Sequence, residues 1–186
     1  MVKIYSCAAS GADTATVLDD IDATLSGDAT AARFVYVFYG CDHDDAKILQ
    51  RLGQRFPEAA ILGGTSCSGL MNQDQLWDAG SVGLLAICDA DGDYGVGAVS
   101  GDSDPAAAAQ RALSRALDAA GCPGELPELI WLFQAPGHEE AVVEGLRQIV
   151  GDSCPIIGGS SADNTVSGAW RQISSAGVMT DGIVVG

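Results

Sequence analysis

Short apolar runs alternate with amphipathic segments along the chain. The runs RFVYVFYG, from Arg33, and LIWLFQA, from Leu129, are rich in β-branched and aromatic residues, which is typical of buried strands. Each run is followed by a segment with apolar residues at helical spacing and then by a second strand-like run, AAILGG or CPIIGG. This order predicts two β-α-β units, over about residues 33–64 and 128–159, each with parallel strands.

The remaining pattern places further elements around these two units. A strand, KIYSCAA, and a helix, DTATVLDDIDATL, precede the first unit, and the helix DPAAAAQRALSRALDAAG connects the two. Asp104 is the expected N-cap of the connecting helix, Pro105 its first residue and Gly121 the residue beyond its end. The strands SVGLLAIC and YGVGAVS, joined by the acidic turn DADGD, are predicted to form a hairpin. The predicted fold class is α/β with mixed parallel and antiparallel sheets.

The two β-α-β segments match each other without a gap at an offset of 95 residues. The equivalent pairs include Phe38 with Phe133, His43 with His138, Gly63 with Gly158, and Gly64 with Gly159. We interpret this match as an internal duplication with pseudo-twofold symmetry, with halves at about residues 1–100 and 101–186.

The net charge of the chain excludes several classes of binding partner. With 25 acidic against 9 basic residues the net charge is −16, and a surface this negative repels phosphate backbones and anionic lipid heads. We therefore expect neither a nucleic-acid nor a membrane partner.

The six cysteines form no C-x-x-C pair, and the sequence has no signal peptide and no apolar run of membrane-spanning length. These features predict reduced thiols in a cytoplasmic protein.

The loops GGTSCSGL and GGSSADN directly follow predicted strands, where open α/β sheets bind their ligands. Double glycines let the backbone approach a ligand, and the hydroxyl side chains and exposed N–H groups offer hydrogen bonds. The alternative is that these glycines only permit a tight exit from a buried strand. The candidate ligand-binding residues are Gly63, Gly64, Thr65, Ser66, Gly158, Gly159, Ser160, Ser161, Asp163, Asn164 and Arg171.

A small zwitterion or a neutral polar molecule suits these loops better than a phosphate group, because there is no P-loop pattern and no nearby lysine. Asp163 and Asn164 are suited to an ammonium group, and Arg171 to a carboxylate. Arg171 is equally consistent with a surface residue at a strand end. The three tryptophans are interpreted as core or rim packing rather than as a stacking platform.

The histidines raise two further hypotheses. His43 or His138, each placed at a helix start, is a candidate haem ligand, and Cys67 with His43 is a candidate nucleophile pair in an enzyme. Against these stands the simpler expectation that both rings are solvated or bonded locally. Four zinc ligands do not assemble, and the run DADGDYGVGAVS, from Asp89, has Tyr94 and Ser100 where a calcium loop has its glycine and glutamate. We predict no catalytic residues and no metal site.

The runs ILGGTSCSGL, AGSVGLLAI, PIIGGSSADN and WRQISSAGVMTDGIVV resemble the N-terminal half of the FIST domain. The resemblance covers nearly the whole chain, residues 1–186, and implies that a longer protein continues into a C-terminal FIST domain. It implies a sensory role, in which a small molecule such as an amino acid is bound and the signal passes to a downstream protein or domain. Some relatives resemble haem-based nitric oxide sensors, so the resemblance also implies haem as an alternative ligand.

Overall fold

The computed structural model describes residues 1–101 and 103–186. In chain order the first elements are β1 (Lys3–Ser10), α1 (Thr14–Thr24), β2 (Phe34–Tyr39), α2 (Asp45–Arg55), β3 (Ala60–Thr65), β4 (Leu70–Met71), β5 (Leu76–Trp77) and β6 (Ser81–Cys88), with a 3₁₀ turn at Gly27–Ala31. Then follow β7 (Gly97–Ser100), α3 (Pro105–Ala120), β8 (Ile130–Gln134), α4 (Glu139–Val150), β9 (Ile156–Ser160), β10 (Gln172–Ser174), β11 (Gly177–Met179) and β12 (Gly182–Val185).

The strands form two main sheets and one short hairpin. The first sheet has the order β1-β6-β2-β3-β10-β11, the second has the order β7-β12-β8-β9, and β4 pairs with β5 alone. In both sheets one parallel pair, β2–β3 or β8–β9, adjoins antiparallel neighbours. The predicted α/β class with mixed sheets and both β-α-β units is therefore confirmed.

The two parallel pairs also share their register. The pairs are Val37–Gly63 and Phe38–Gly64 in one sheet, and Leu132–Gly158 and Phe133–Gly159 in the other. Each residue in the second set lies 95 positions after its counterpart, the offset found in the sequence. The strand order β1-β6-β2-β3 corresponds in the same way to β7-β12-β8-β9. These matches agree with an internal duplication, which itself stays a prediction.

Side chains alternate between the two faces of each strand, and this alternation gives the fold four layers: helices α1 and α2, the first sheet, the second sheet, and helices α3 and α4. In β2, Val35, Val37 and Tyr39 pack against α1 and α2, whereas Phe34 and Tyr36 face the second sheet. The second sheet packs α3 and α4 on its outer face in the same manner. Because both faces of each sheet are covered, the strands read as continuous apolar runs rather than as alternating ones.

The predicted connecting helix is confirmed with its caps. The Asp104 side chain accepts a hydrogen bond from the Ala107 N–H, Pro105 begins α3, and Gly121 adopts a left-handed conformation after its end. The predicted hairpin of SVGLLAIC with YGVGAVS is wrong. β6 lies between β1 and β2 in the first sheet, while β7 pairs with β12 in the second. Because β1 and β2 occupy both edges of β6, no edge of β6 is left for β7, which pairs in the other sheet.

Candidate functional site

The two predicted loops meet at one edge of the fold. The Ala162 N–H donates to the Thr65 carbonyl oxygen at 3.0 Å, and the Ser68 N–H donates to Asn164 Oδ1 at 2.8 Å. β3 and β9 lie in facing sheets, and their carboxyl ends reach the same side. The exits are thus neighbours, as a shared site requires.

The first exit is filled by the protein itself. A Cβ added at Gly64 would overlap the Arg171 carbonyl oxygen and the Phe133 ring, so this glycine permits the close approach of β10 and β8. Thr65 is fully buried, and its Oγ1 accepts a hydrogen bond from the Arg171 N–H at 2.9 Å. The Ser66 hydroxyl donates to the Gly69 carbonyl oxygen at 2.6 Å. These groups stabilise the junction of the two sheets.

Asp163 organises the second exit. Its Oδ1 accepts from the Thr165 N–H at 2.8 Å, and its Oδ2 accepts from the Gly168 and Ala169 N–H groups at 2.9 and 2.8 Å, with Ser167 N–H between both oxygens. Burial alone would raise the pKa of this carboxyl, but these four backbone donors outweigh it and lower the pKa to about 2. The carboxylate therefore acts inside its own loop.

Ser161 and Gln172 connect the two sheets below the exits. The Ser161 hydroxyl donates to the Gln134 carbonyl oxygen at 3.0 Å and accepts from Gln172 Nε2, while Gln172 Oε1 accepts from the Gly182 N–H at 2.9 Å. All of these side chains are buried. Gln172 was not among the predicted residues, because nothing in its local pattern marks a glutamine that ties β10 to β12.

Arg171 lies beside a second group of polar side chains. Its Nε is 3.7 Å from Asp45 Oδ2, and its guanidinium donates to the Trp170 carbonyl oxygen at 2.7 Å. Asp45 Oδ1 and the Tyr39 hydroxyl are buried without a well-formed hydrogen bond among the described residues. Burial raises the pKa of Tyr39, and the negative charge of Asp45 adds to the shift. Asp45 thus already balances the charge of Arg171.

A cleft of about 390 Å³ opens between the two sheets. Aromatic side chains of β2 and β8 line it, and residues 157–160 of β9 form a further wall together with residues 70–72 of the β4–β5 hairpin. This volume lies within the range of about 300–1,000 Å³ that small-molecule sites occupy. Of the predicted residues, Gly158, Gly159 and Ser160 reach this cleft.

The aromatic wall follows from the alternation of β2 and β8. Tyr36 and Phe38 project from one sheet, and Trp131 and Phe133 project from the other. The rings of Tyr36 and Trp131 have their centroids 4.6 Å apart, and those of Phe38 and Phe133 lie 5.7 Å apart. Such contacts fix the ring positions.

These aromatic residues were missed by the sequence interpretation, although a signal exists. Tyr36 and Phe38 stand at alternate positions of one predicted strand, and Trp131 and Phe133 stand at the equivalent positions of another, 95 residues later. Residues two apart on a strand share a face, so two such pairs in equivalent strands indicate one aromatic surface. The interpretation of Trp131 as core or rim packing fits its ring contacts but leaves out the cleft.

Backbone geometry shapes the opposite wall. Gly158 has φ of +135°, and a Cβ there would overlap the Leu132 carbonyl oxygen, so the strand requires glycine.

A hydrogen bond to Glu139 lies at the Ser160 end of the cleft. The Ser160 hydroxyl donates to Glu139 Oε1 at 2.6 Å. This hydrogen bond, with the N–H groups of the α4 start, lowers the pKa of Glu139. A carboxylate therefore stands beside the Ser160 end of the cleft.

The FIST N domain model matches residues 33–186, a span that includes both β-α-β units, both exits and the aromatic strands. The chain belongs to the FIST N domain family. Its resemblance to FIST is thereby confirmed, and the family is one of sensory and signal-transduction domains. No curated protein matches the chain.

Among solved structures, this FIST N domain is similar to cyanuric acid hydrolase from A. caulinodans, at 12% identity and a TM-score of 0.40. The alignment covers 100% of this chain and 66% of the hydrolase. A likeness this weak supports neither a common activity nor a common site.

The histidines of this FIST N domain do not fit a haem ligand. His43 is buried, its Nε2 donates to the Gly80 carbonyl oxygen at 3.0 Å, and its Nδ1 lies 3.1 Å from Thr14 Oγ1. Because Thr14 Oγ1 also accepts from the Asp44 N–H, the ring joins the starts of α1 and α2 to the turn before β6. His138 is exposed beside a cavity of about 30 Å³, which has room for a water molecule but not for haem.

No three His, Cys, Asp or Glu side chains within residues 1–101 and 103–186 come together as metal ligands. No helix in that part of the chain is long and apolar enough to cross a bilayer.

Cys67 is expected to react with alkylating reagents before Cys7 does. Cys67 is exposed and has its contact with Ser68 Oγ at 3.4 Å, while both nitrogens of His43 are engaged elsewhere. Burial, with a contribution from Asp22, raises the pKa of the Cys7 thiol to about 11. Peptide mapping by mass spectrometry after limited iodoacetamide treatment shows which of the two cysteines is alkylated first. A Cys67 rate far above that of a free cysteine would support the nucleophile hypothesis instead.

Proposed function

We propose that this FIST N domain binds a small, mainly apolar molecule in the cleft between its two sheets. The observation that carries the proposal is the cleft of about 390 Å³ with four aromatic side chains in its wall. Rigid aromatic surfaces bind planar or apolar groups by stacking and by removal of water. The sensory role of the family supports a binding function rather than catalysis.

The lining favours an uncharged ligand with one polar end. None of the described residues that line the cleft carries a charged side chain. Its polar side chains are those of Ser6, Asn72 and Ser160, with the phenol of Tyr36 and the indole of Trp131 at the aromatic wall. Burying an unpaired charge there would cost far more than burying a ring with a single hydroxyl or amide. A small aromatic compound such as indole or a phenol matches this chemistry.

An apolar or aromatic amino acid is the second candidate ligand. It is supported by Glu139, whose carboxylate accepts the Ser160 hydroxyl at the end of the cleft and offers an anionic partner for an ammonium group. The side chain of the amino acid would then lie against Trp131 and Phe38. We expect aliphatic and aromatic amino acids to bind better than acidic ones, because the net charge of −16 repels anions.

Transmission of the signal is assigned to the β4–β5 hairpin. Leu70 and Met71 reach the cleft, and the Met71 side chain is also 76% exposed, so a bound molecule would contact an element that faces solvent. A downstream signalling protein or domain would bind this hairpin and respond to its change in conformation.

All six cysteines, each among the described residues, are free, which supports a reducing, cytoplasmic setting.

Thermal-shift measurements with indole, phenol and the aromatic amino acids test the proposal. A ligand that binds only the folded state adds about 2.7 kcal/mol of stability at a hundredfold excess over its Kd. Trp131→Ala is expected to weaken binding at least about tenfold, or about 1.4 kcal/mol, because it removes one aromatic wall. Trp170→Ala is the matched control, since it deletes the same side chain outside the cleft.

The variants separate ligand binding from general stability. Each midpoint shift is taken relative to the same variant without ligand, so a destabilised variant still reports its affinity. The proposal fails if no compound raises the wild-type midpoint, or if Trp131→Ala responds as strongly as Trp170→Ala. Quenching of tryptophan fluorescence provides a second readout of the same site.

A further inference from the structure

The two equivalent strands β3 and β9 differ in what covers their outer edges. β3 pairs with β2 on one side and with β10 on the other, whereas β9 pairs with β8 and ends its sheet. Ile157 is 40% exposed, and the neighbouring Gly158 and Gly159 are exposed as well. β9 thus presents backbone N–H and C=O groups to solvent.

The glycines of the two strands show the same difference. At Gly64 an added Cβ would overlap the carbonyl oxygen of Arg171, which leads into β10. At Gly159, the equivalent residue, no atom of the described residues lies within 4 Å of such a Cβ, and φ there does not require glycine. The neighbours of Gly159 in this chain therefore give no reason for glycine. A strand docked on β9 as β10 docks on β3 would give one.

The open edge also lacks the usual protection. Natural proteins guard edge strands with charged side chains, prolines or bulges, because a flat uncharged edge pairs with other chains. Ile156–Ser160 contains neither a charge nor a proline, and it forms a regular five-residue ladder with β8. An edge in this condition suits the addition of another strand.

The chain carries a second segment of the β10 type. The sequence QLWDAG, from Gln75, aligns with QISSAG, from Gln172, at an offset of 97 residues. The second segment contains β10, which pairs with both β3 and β11, while the first contains β5, which pairs only with β4 among the described residues. Ile173 is completely buried, but its counterpart Leu76 is 78% exposed.

We propose that the β9 edge of one copy receives the β5 strand of a second copy. By analogy with the register of β10 on β3, Gln75 would lie opposite Gly159 and Leu76 opposite Gly158, in antiparallel pairing. Leu76 would then be covered as Ile173 is. Reciprocal exchange between two copies satisfies both edges and gives a closed twofold dimer.

A second copy supplies β5 more readily than the same chain does. Within one chain the β4–β5 hairpin is held against the first sheet, because β4 contacts β6 and β5 contacts β1, whereas β9 belongs to the second sheet. Asp78, directly after β5, accepts hydrogen bonds from the Gly80 N–H at 3.1 Å and the Ser81 hydroxyl at 3.3 Å. The net charge of −16 on each copy opposes association. Added salt screens that repulsion, so the dimer is expected to strengthen as ionic strength rises.

Sedimentation velocity over a concentration series at low and high salt tests the proposal. The wild-type chain is expected to form dimers, and Gly159→Ala is expected to weaken them at least about tenfold, because the methyl group meets the docked strand. Gly53→Ala is its control, since Gly53 lies on α2 and a Cβ there also meets no atom within 4 Å in the described part of the chain. Circular dichroism checks that both variants fold.

A second pair of variants tests the donor strand. Leu76→Asp would bury a carboxylate in the docked state and is expected to weaken the dimer at least about tenfold. Leu126→Asp makes the same substitution at a leucine that is 68% exposed and lies outside both β5 and β9, and it is expected to have little effect. An equimolar mixture of Gly159→Ala and Leu76→Asp keeps one intact contact and should associate more than either variant alone.

Three results would overturn the proposal. They are a wild-type chain that stays monomeric at every concentration and salt level, a Gly159→Ala chain that dimerises as the wild type does, and equal effects of Leu76→Asp and Leu126→Asp. The last result would mean that β9 pairs with something other than β5, such as the β9 strand of the second copy.

Discussion

Replacing Gly64 by alanine is expected to lower the free energy of unfolding by about 2–3 kcal/mol, whereas Gly159→Ala leaves it within about 0.5 kcal/mol of the wild type. Both residues follow an equivalent glycine in equivalent strands. At Gly64 the new methyl group overlaps a backbone oxygen and the ring of Phe133, neither of which moves without disturbing β10 or β8. At Gly159 it enters open space.

Urea denaturation of both variants at low protein concentration, where dimers do not form, measures the difference. The slope of the unfolding free energy against urea should stay that of the wild type, because the same surface is exposed on unfolding. Equal stabilities of the two variants would contradict the close packing of the sheets at Gly64. A strongly destabilised Gly159→Ala monomer would contradict the open edge of β9.

This pair shows why sequence equivalence predicts the fold better than the site. The repeat places Gly64 and Gly159 at the same point of a β-α-β unit, and the unit forms because strand-like and helical patterns follow one another locally. What each glycine contacts depends on the rest of the chain. β10 covers the outer edge of the first strand, and no strand among residues 1–101 and 103–186 covers that of the second.

The sequence pattern did not predict the cleft, for a similar reason. Val35 and Val37 alternate with Tyr36 and Phe38 in β2, and both sets are apolar, so the pattern does not say which face meets helices and which meets another sheet. That choice is made by long-range packing. The hydroxyl residues of the loops were easier to notice, but several of them serve the junction of the two sheets instead.

Asp163 is the clearest example of a site residue whose contacts could not be predicted from the sequence. In the sequence its carboxylate is a candidate partner for an ammonium group, because the residues around it are small and polar. In the structure the chain from Thr165 to Ala169 curls around that carboxylate, with Val166 at φ of +54°. A β-branched residue rarely adopts this conformation, and it persists where the surroundings hold it. A ligand role for Asp163 stays a prediction.

Asp163→Asn is therefore expected to destabilise the protein at neutral pH more than any exposed acidic residue does. The amide nitrogen of asparagine points hydrogens at backbone N–H groups that the carboxylate now satisfies, which leaves buried donors without partners. The strained conformation of Val166 then loses the contacts that maintain it. Asp152→Asn is the control, because the Asp152 side chain is 92% exposed and its ion pair with Arg147 lies at the surface.

The pH dependence gives the sharper measurement. Because the folded-state pKa of Asp163 is lowered to about 2, its contribution to stability is present above its ordinary pKa and is lost as the pH falls towards 2. The difference in stability between wild type and Asp163→Asn should thus be constant from about pH 5 upwards and shrink between about pH 4 and pH 2. A difference that stays the same down to pH 2 would mean that the loop does not depend on the charge of this carboxylate, and that the fold of the second exit is held by its remaining contacts.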